Sequence, residues 1–453
     1  MTSRILTRHF VSGVILLAAA AALAGCASYR AAPLSLRPPL KTSLATLDWH
    51  LPDGRTIDTA RPLSPQALAA LAVLNDPALV AARAGIGVGR AQTFATGLLP
   101  DPNIQGGFGA LIGGPGLAPS IAGAISQDLA SLVTRGTRLR AAKARAAETR
   151  VRVMWQEWQV ATQAETLAVS LWADRRTLVA LDTARTALAG LVATSRKAVA
   201  SGNLAIDQVS AAEASLAGLD VSRDATARQE QTDHAALAAL LGVTPGTPIP
   251  LAKPLIPSLS PDTAKRLVAS IAGRRPDMIA LRYGYRASDA DLRAAILAQF
   301  PLISLTVNGG SDTTRVNTIG PTISLNLPIF NGNRGNIAVA RATRQQLDAA
   351  FTAALGAAQG ESEAALQALA LLESERKTAR VRLDSAEQAA RAAHGAYRAG
   401  LIDARTETDL IDQSATRRTE LIALDQKIAA GRIALASLLG AGLPVVHLAG
   451  AVP

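Results

Sequence analysis

At 453 residues the chain is long enough for more than one folded unit, and 46 basic against 35 acidic residues give it a net charge of +11. It is 49% hydrophobic but only 3% aromatic, and much of the apolar content is alanine, which favours close-packed helices over a thick globular core. A single cysteine, Cys26, excludes an internal disulfide, and the absence of any run of five basic residues makes the charge a solvated basic face rather than a nucleic-acid grip.

The N-terminus reads as an export leader over residues 1–25. Arg4 and Arg8 supply its positive region and Phe10–Gly25 its short apolar core. Leu23-Ala24-Gly25-Cys26 then has the form of a bacterial lipobox, whose thiol receives a diacylglycerol before cleavage. Ala27 and Ser28 follow, with no aspartate, and by resemblance to bacterial lipoproteins this implies sorting to the outer membrane. Each buried CH₂ of the acyl chains is worth roughly 0.8 kcal/mol, so several chains would hold the anchor. Beyond the leader no stretch offers about 18 uninterrupted apolar residues. A route through a membrane would have to use strands.

Residues 26–62, with Pro33, Pro38, Pro39, Pro52 and Pro62, read as a lipidated N-terminal tether. The rest of the chain states one pattern twice. Leu63-Ser64-Pro65 recurs as Leu259-Ser260-Pro261, Pro77 as Pro276, and Leu99-Pro100 as Phe300-Pro301. Arg135-Gly136 recurs as Arg334-Gly335, Gly202 as Gly400, and the closing Leu-Leu-Gly of 240–242 at 438–440. The offsets lie between 196 and 201, so a whole folded unit is duplicated rather than a short solenoid repeat. The repeats span 63–243 and 259–442. A Pro-rich linker, 244–258, joins them, and a C-terminal tail occupies 443–453.

Each repeat reads as helix, β-hairpin, long helix and second helix. Ser64-Pro65 and Ser260-Pro261 combine a serine cap with proline at the first helical position. Residues 137–200 and 336–398 carry no proline, and about 63 helical residues span on the order of 95 Å. Within 160–199 one heptad position holds Val160, Leu167, Asp174, Leu181, Leu188 and Ser195. Four residues on lie Ala164, Leu171, Leu178, Arg185, Val192 and Val199. Asp174, Arg185 and Ser195 interrupt an otherwise apolar coiled-coil seam. Gly202 and Gly400 should end the long helices, and a helix of about 37 residues should return beside each.

The strands carry the membrane reading. In 301–308 and 322–327, Ile303, Leu305, Val307, Ile323, Leu325 and Leu327 alternate with Ser304, Thr306, Asn308, Thr322, Ser324 and Asn326. Residues 309–321 between them read as a polar turn-rich loop. In the first repeat Ile104, Gly106, Phe108, Ala110 and Ile112 share a face, and 121–129 is the weaker partner. Such hairpins either cover helices as a small sheet or enter a membrane. Four strands cannot close a barrel, since single-chain barrels start at eight, so in a membrane several copies must share one.

The duplicated unit, the lipobox, Arg275-Pro276-Asp277, Phe300-Pro301 and the run from Leu327 to Gly335 together resemble the TolC family. More narrowly, they resemble the outer-membrane lipoproteins of tripartite resistance–nodulation–division efflux systems. The resemblance implies a mainly α fold with a transmembrane β-barrel: a homotrimer with a twelve-stranded barrel continued by a periplasmic α-helical barrel. It also implies a passive conduit for drugs or metal ions that works with a periplasmic adaptor and an inner-membrane pump, without nucleic acid or cofactor. In such proteins charged residues close the periplasmic tip. Tyr397-Arg398-Ala399-Gly400 matches the family's turn, and Asp409 falls at its aspartate position. Asp412 stands where the family has arginine, so the channel-constriction candidates form a carboxylate ring of Asp409 joined by Asp412. Gln208 occupies the matching position of the first repeat. Aromatic girdles are sparse, with mainly Phe108 and Phe330 near the strands.

No chemistry competes with this reading. The five histidines are scattered, Gly85-x-Gly87-x-Gly89 lacks a phosphate-loop context, and no Gly-x-Ser-x-Gly elbow occurs, so an enzyme is not expected. The alternative is a lipid-anchored periplasmic coiled-coil adaptor or scaffold, which would share the helices and the lipobox but would not need paired hairpins.

Overall fold

The computed structural model describes residues 29–36, 40–51, 54, 56–116, 118–203, 205–300 and 302–446. The leader and Cys26 lie outside the described residues. Met1–Leu40 and Lys41–Pro453 are separate units, and every helix and strand named here belongs to the second.

The first repeat runs α1 (Pro65–Asn75), α2 (Pro77–Gly97), β1 (Asn103–Gly109), β2 (Ser120–Asp128), α3 (Ala130–Ala200) and α4 (Ile206–Leu240). The second runs α5 (Pro261–Ala269), α6 (Ile271–Arg274), α7 (Pro276–Leu297), β3 (Leu302–Ser311), β4 (Asn317–Asn326), α8 (Arg334–Arg398) and α9 (Ala404–Leu439). Both serine caps form: Ser64 Oγ accepts from the Ala67 amide at 3.2 Å and Ser260 Oγ from the Thr263 amide at 3.3 Å. The helical stretch before each hairpin is broken rather than single. Pro77 and Pro276 each restart a helix, because proline cannot donate to the preceding turn, and α1 and α2 meet at a bend of 50°. Gly85, Gly87 and Gly89 lie within α2, as a helical segment.

The long helices exceed the expected length. α3 has 71 residues and α8 has 65, or about 107 and 98 Å. Each pairs with its successor, α3 with α4 and α8 with α9, and α9 packs on α3 to join the repeats. Along the α3 seam Ala164, Leu171, Leu181, Leu188, Val192 and Ser195 are buried. The interruptions have separate explanations. Arg185 is exposed and its Nε donates to Asp220 on α4 at 2.5 Å, while buried Ser195 lies 3.4 Å, Oγ to Oη, from Tyr397 of the other repeat. Asp174 remains beside Glu230 and Asp233, with one carboxylate oxygen buried and unpartnered.

Two equivalent cores close the repeats at their first helices. Leu68, Leu71, Ala164, Leu171, Leu237 and Leu241 pack in the first, and Ile271, Met278, Ala358, Leu369, Leu435 and Leu439 in the second. The recurring Leu-Leu-Gly ends here. Gly242 and Gly440 adopt φ of +66° and +60°, and a Cβ on Gly440 would sit 3.3 Å from the Cβ of Arg274. Backbone bonds tie Lys41 to the end of the first repeat and Leu63 to the linker: the Lys41 amide donates to Gly242 O at 2.9 Å and the Leu63 amide to Pro250 O at 2.8 Å. Arg275 is a structural tie. Its guanidinium bonds both carboxylate oxygens of Asp277 at 2.6 and 3.0 Å and stacks 5.2 Å from the Trp155 ring centroid on α3.

The four strands form one antiparallel sheet in the order β1-β2-β3-β4, so the hairpins of the two repeats pair through β2 and β3. β3 and β4 are longer than their alternation suggested, and the expected loop of 309–321 shrinks to a turn of five residues, 312–316. Asp312 makes the tight turn possible: its Oδ1 accepts from the Thr314 and Val316 amides at 2.8 and 2.9 Å. Conversely, β1 stops at Gly109, so Ala110 and Ile112 lie beyond it, and Leu129 caps α3 instead of ending β2.

Candidate functional site

Pairing register fixes which side chains share a face of the sheet, because directly opposed residues point the same way. Ile104 opposes Ile125, Ile125 opposes Val307, and Leu305 opposes Ile323. One face therefore carries Ile104 and Phe108 of β1, Ile121 and Ile125 of β2, Ile303, Leu305 and Val307 of β3, and Ile319, Ile323 and Leu325 of β4. All ten are exposed; Ile319 is 82% and Ile104 75% accessible. The opposite face carries Gln105, Ser126, Thr306, Asn308, Thr322 and Ser324. A contiguous bare apolar face of this extent marks a surface that something covers, since soluble monomers keep such patches small.

Across the middle of the apolar face runs a row of three glycines, Gly106, Gly123 and Gly309, with Gly107 and Gly310 in the adjoining row. Gly310 has no alternative, because a Cβ would lie 2.7 Å from the Ile121 carbonyl oxygen. Glycine at these points lets a sheet curve sharply, which barrel closure requires. Among the described residues β1 and β4 each pair on one side only, so the sheet ends in two open edges.

At the far end of the long helices the turns are built alike. The Gly202 amide donates to Val199 O at 2.9 Å, and the Gly400 amide to Tyr397 O at 2.9 Å. Both glycines have positive φ, at +73° and +72°. The starts of the return helices differ. Asp403 caps α9 by accepting from the Thr406 amide at 2.8 Å, and hydrogen bonds from Thr406 hold its carboxyl below the usual range; Ala205 offers α4 no such cap. Leu188 and Leu191 of α3 pack with Ala404, Tyr397 and Ile411, so the tip of one hairpin is tied to the other.

Asp409 and Asp412 both lie in the first turns of α9, one turn apart, with Asp409 exposed and Asp412 half-buried. Among the described residues neither has a hydrogen-bond or ion-pair partner. The side chain of Gln208 lies outside the described ones. Sequence reasoning passed over Glu407, whose side chain is only 3% accessible. Its Oε1 bonds His394 Nδ1 at 2.9 Å, and its Oε2 is buried without a partner. The available signal was spacing: Glu407 falls three residues after buried Ala404 and four before Ile411, on the packed side of α9.

Among the described residues no group of three or more His, Cys, Asp or Glu gathers as a metal site, and no single helix is long and apolar enough to cross a membrane. Residues 267–441 match the family described as outer membrane efflux protein. The outer membrane protein OprJ of Pseudomonas aeruginosa is 32% identical over 226 residues, which are 45% of this chain and 47% of that protein, so the match spans about half the length of this relative. A solved membrane protein from Pseudomonas aeruginosa superposes with a TM-score of 0.73 at 23% identity, covering 91% of this chain and 97% of that one. The Campylobacter jejuni CmeC outer membrane channel gives a TM-score of 0.69 at 15% identity, covering 92% and 94%. The chain thus has the fold of these outer-membrane proteins, the TolC-like fold that the sequence resemblance implied.

Proposed function

We propose that this chain, with the outer membrane efflux protein pattern in its second half, is the outer-membrane channel of a tripartite efflux system, a homotrimer that conducts small molecules passively. The observation that carries the reading is the sheet: one face apolar and exposed, one polar, both edges open. Strands of 9 to 10 residues in β2, β3 and β4 match a tilted membrane crossing. A lone sheet of this kind would leave its edges unpaired in lipid, where every backbone group must be satisfied. Three copies joined β4 to β1 give twelve strands and no edge, with the apolar face toward lipid and the polar face toward water. A scaffold that never entered lipid would have no use for the apolar face. The long helices then extend into the periplasm, where a periplasmic adaptor and an inner-membrane pump complete the path. Acylated Cys26 would anchor each copy in the outer membrane.

At the tip, three copies of Asp409 with Asp412 would ring a constriction and favour cations, since like charges at close range raise the local field between low-dielectric walls. The test is planar-bilayer recording of the purified chain. Conducting trimers with cation preference are expected, and Asp409→Ala should reduce that preference. Conductance with unchanged selectivity in the variant would remove the ring alone, whereas a monomeric, impermeant wild type would remove the channel.

A further inference from the structure

A cavity of about 660 Å³ opens on the flank of the helical coil, well away from both the sheet and the tip. α9 lines its floor, α3 and α8 flank it, and linker residues Lys253–Ile256 close one end. Five cations line it: Arg176, Lys253, Arg376, Lys377 and Arg432. Only two anions answer them. Asp425 takes Arg376 Nε at 2.5 Å and Arg176 Nη1 at 3.8 Å, and Glu373 takes Arg432 Nη2 at 2.8 Å. The lining is therefore three charges positive. Lys253 and Lys377 are exposed and, among the described residues, unpaired. Arg432 also spends Nη1 on the Ile256 carbonyl at 3.3 Å, while its Nε is buried with no acceptor. The two lysine ammonium groups are therefore the cations of this lining left open to an incoming acceptor.

Apart from Gln426, which donates to Ser170 Oγ at 3.0 Å, the rest of the lining is apolar. Val169, Trp172, Ala173 and Ile422 form one wall, and Leu255, 76% accessible, stands at the rim. An inorganic anion would satisfy the cations and leave this wall wet. A peptide that alternates carboxylate and apolar side chains would cover both.

We propose that this cavity is a docking site for an acidic, partly apolar peptide segment of a partner protein, held by Lys253 and Lys377 beside the apolar wall. The site uses none of the residues assigned to the sheet or the tip.

The experiment is fluorescence anisotropy on the purified full chain, with a fluorescein-labelled hexapeptide alternating Glu and Leu as the probe. Saturable binding that weakens with salt is expected. The Lys253→Glu/Lys377→Glu double variant should weaken it at least tenfold while keeping the wild-type circular dichroism and oligomer mass, and Lys253→Ala/Lys377→Ala should give an intermediate loss. Three results would overturn the proposal: no binding by the wild type, equal binding by the charge-reversed variant, or equal binding of a Lys-Leu hexapeptide. Full displacement of the probe by millimolar inorganic phosphate would also overturn it, since the cavity would then serve small anions.

Discussion

Replacing Asp174 by asparagine should stabilise the folded chain above pH 6 and leave it unchanged in acid. Asp174 sits on α3 with Oδ2 buried and unpartnered. Burial first, then repulsion from Asp233 and Glu230, raises its pKa from 3.8 to about 6. A carboxyl with a raised native pKa favours the fold in its protonated form. That contribution is complete below 3.8 and is lost as pH rises through about 6. The rise corresponds to about 3 kcal/mol at full effect, and solvent screening of this half-exposed side chain reduces it to about 1 kcal/mol. A carboxamide cannot ionise, so the variant escapes the loss. Urea denaturation followed by circular dichroism at pH 4 and pH 8 measures the difference: the Asp174→Asn midpoint should exceed wild type at pH 8 and converge with it at pH 4. An equal gap at both pH values, or a less stable variant at pH 8, would refute the assignment of a strained, partnerless carboxylate.

Leu188→Ala should cost about 2–5 kcal/mol in the same assay, because Leu188 is fully buried where the two hairpins meet near the tip. A loss below about 1 kcal/mol would mean that the tip is looser than its packing implies. Gly440→Ala should cost about 1–2 kcal/mol, from the left-handed backbone and the approach to Arg274. An unchanged urea midpoint would show that α9 can end another way.

Local chemistry made much of this fold legible. Serine caps, prolines at helix starts and glycines at helix ends act through the backbone of their own turn, so Ser64, Ser260, Gly202 and Gly400 could be placed from the chain alone. The α3 seam was legible for the same reason, since heptad spacing is a property of one helix. The hairpins were harder. Gly309 and Gly310 read as turn residues, but pairing with Gly123 and Ala122 holds them in β3, and that pairing joins strands from different repeats. Glu407 was missed because an acidic residue on an alanine-rich helix is ordinarily solvated; only the neighbouring helix reveals that it is buried against His394. The basic cavity likewise needs three helices and the linker together, and of its five cations only Arg376 and Lys377 are adjacent in sequence.

The most direct measurement is disulfide trapping across the open edges. Cysteines are placed one at a time along β1, Asn103–Gly109, and along β4, Asn317–Asn326, and combined pairwise, with Cys26 retained because the proposed acylation leaves it no free thiol. A chain that borrows two siblings to close its wall should give, at one staggered register, covalent trimers in membranes that survive heating and fall apart with reductant. Monomers at every register would mean that β4 never meets the β1 of another copy, and a shared barrel would be excluded.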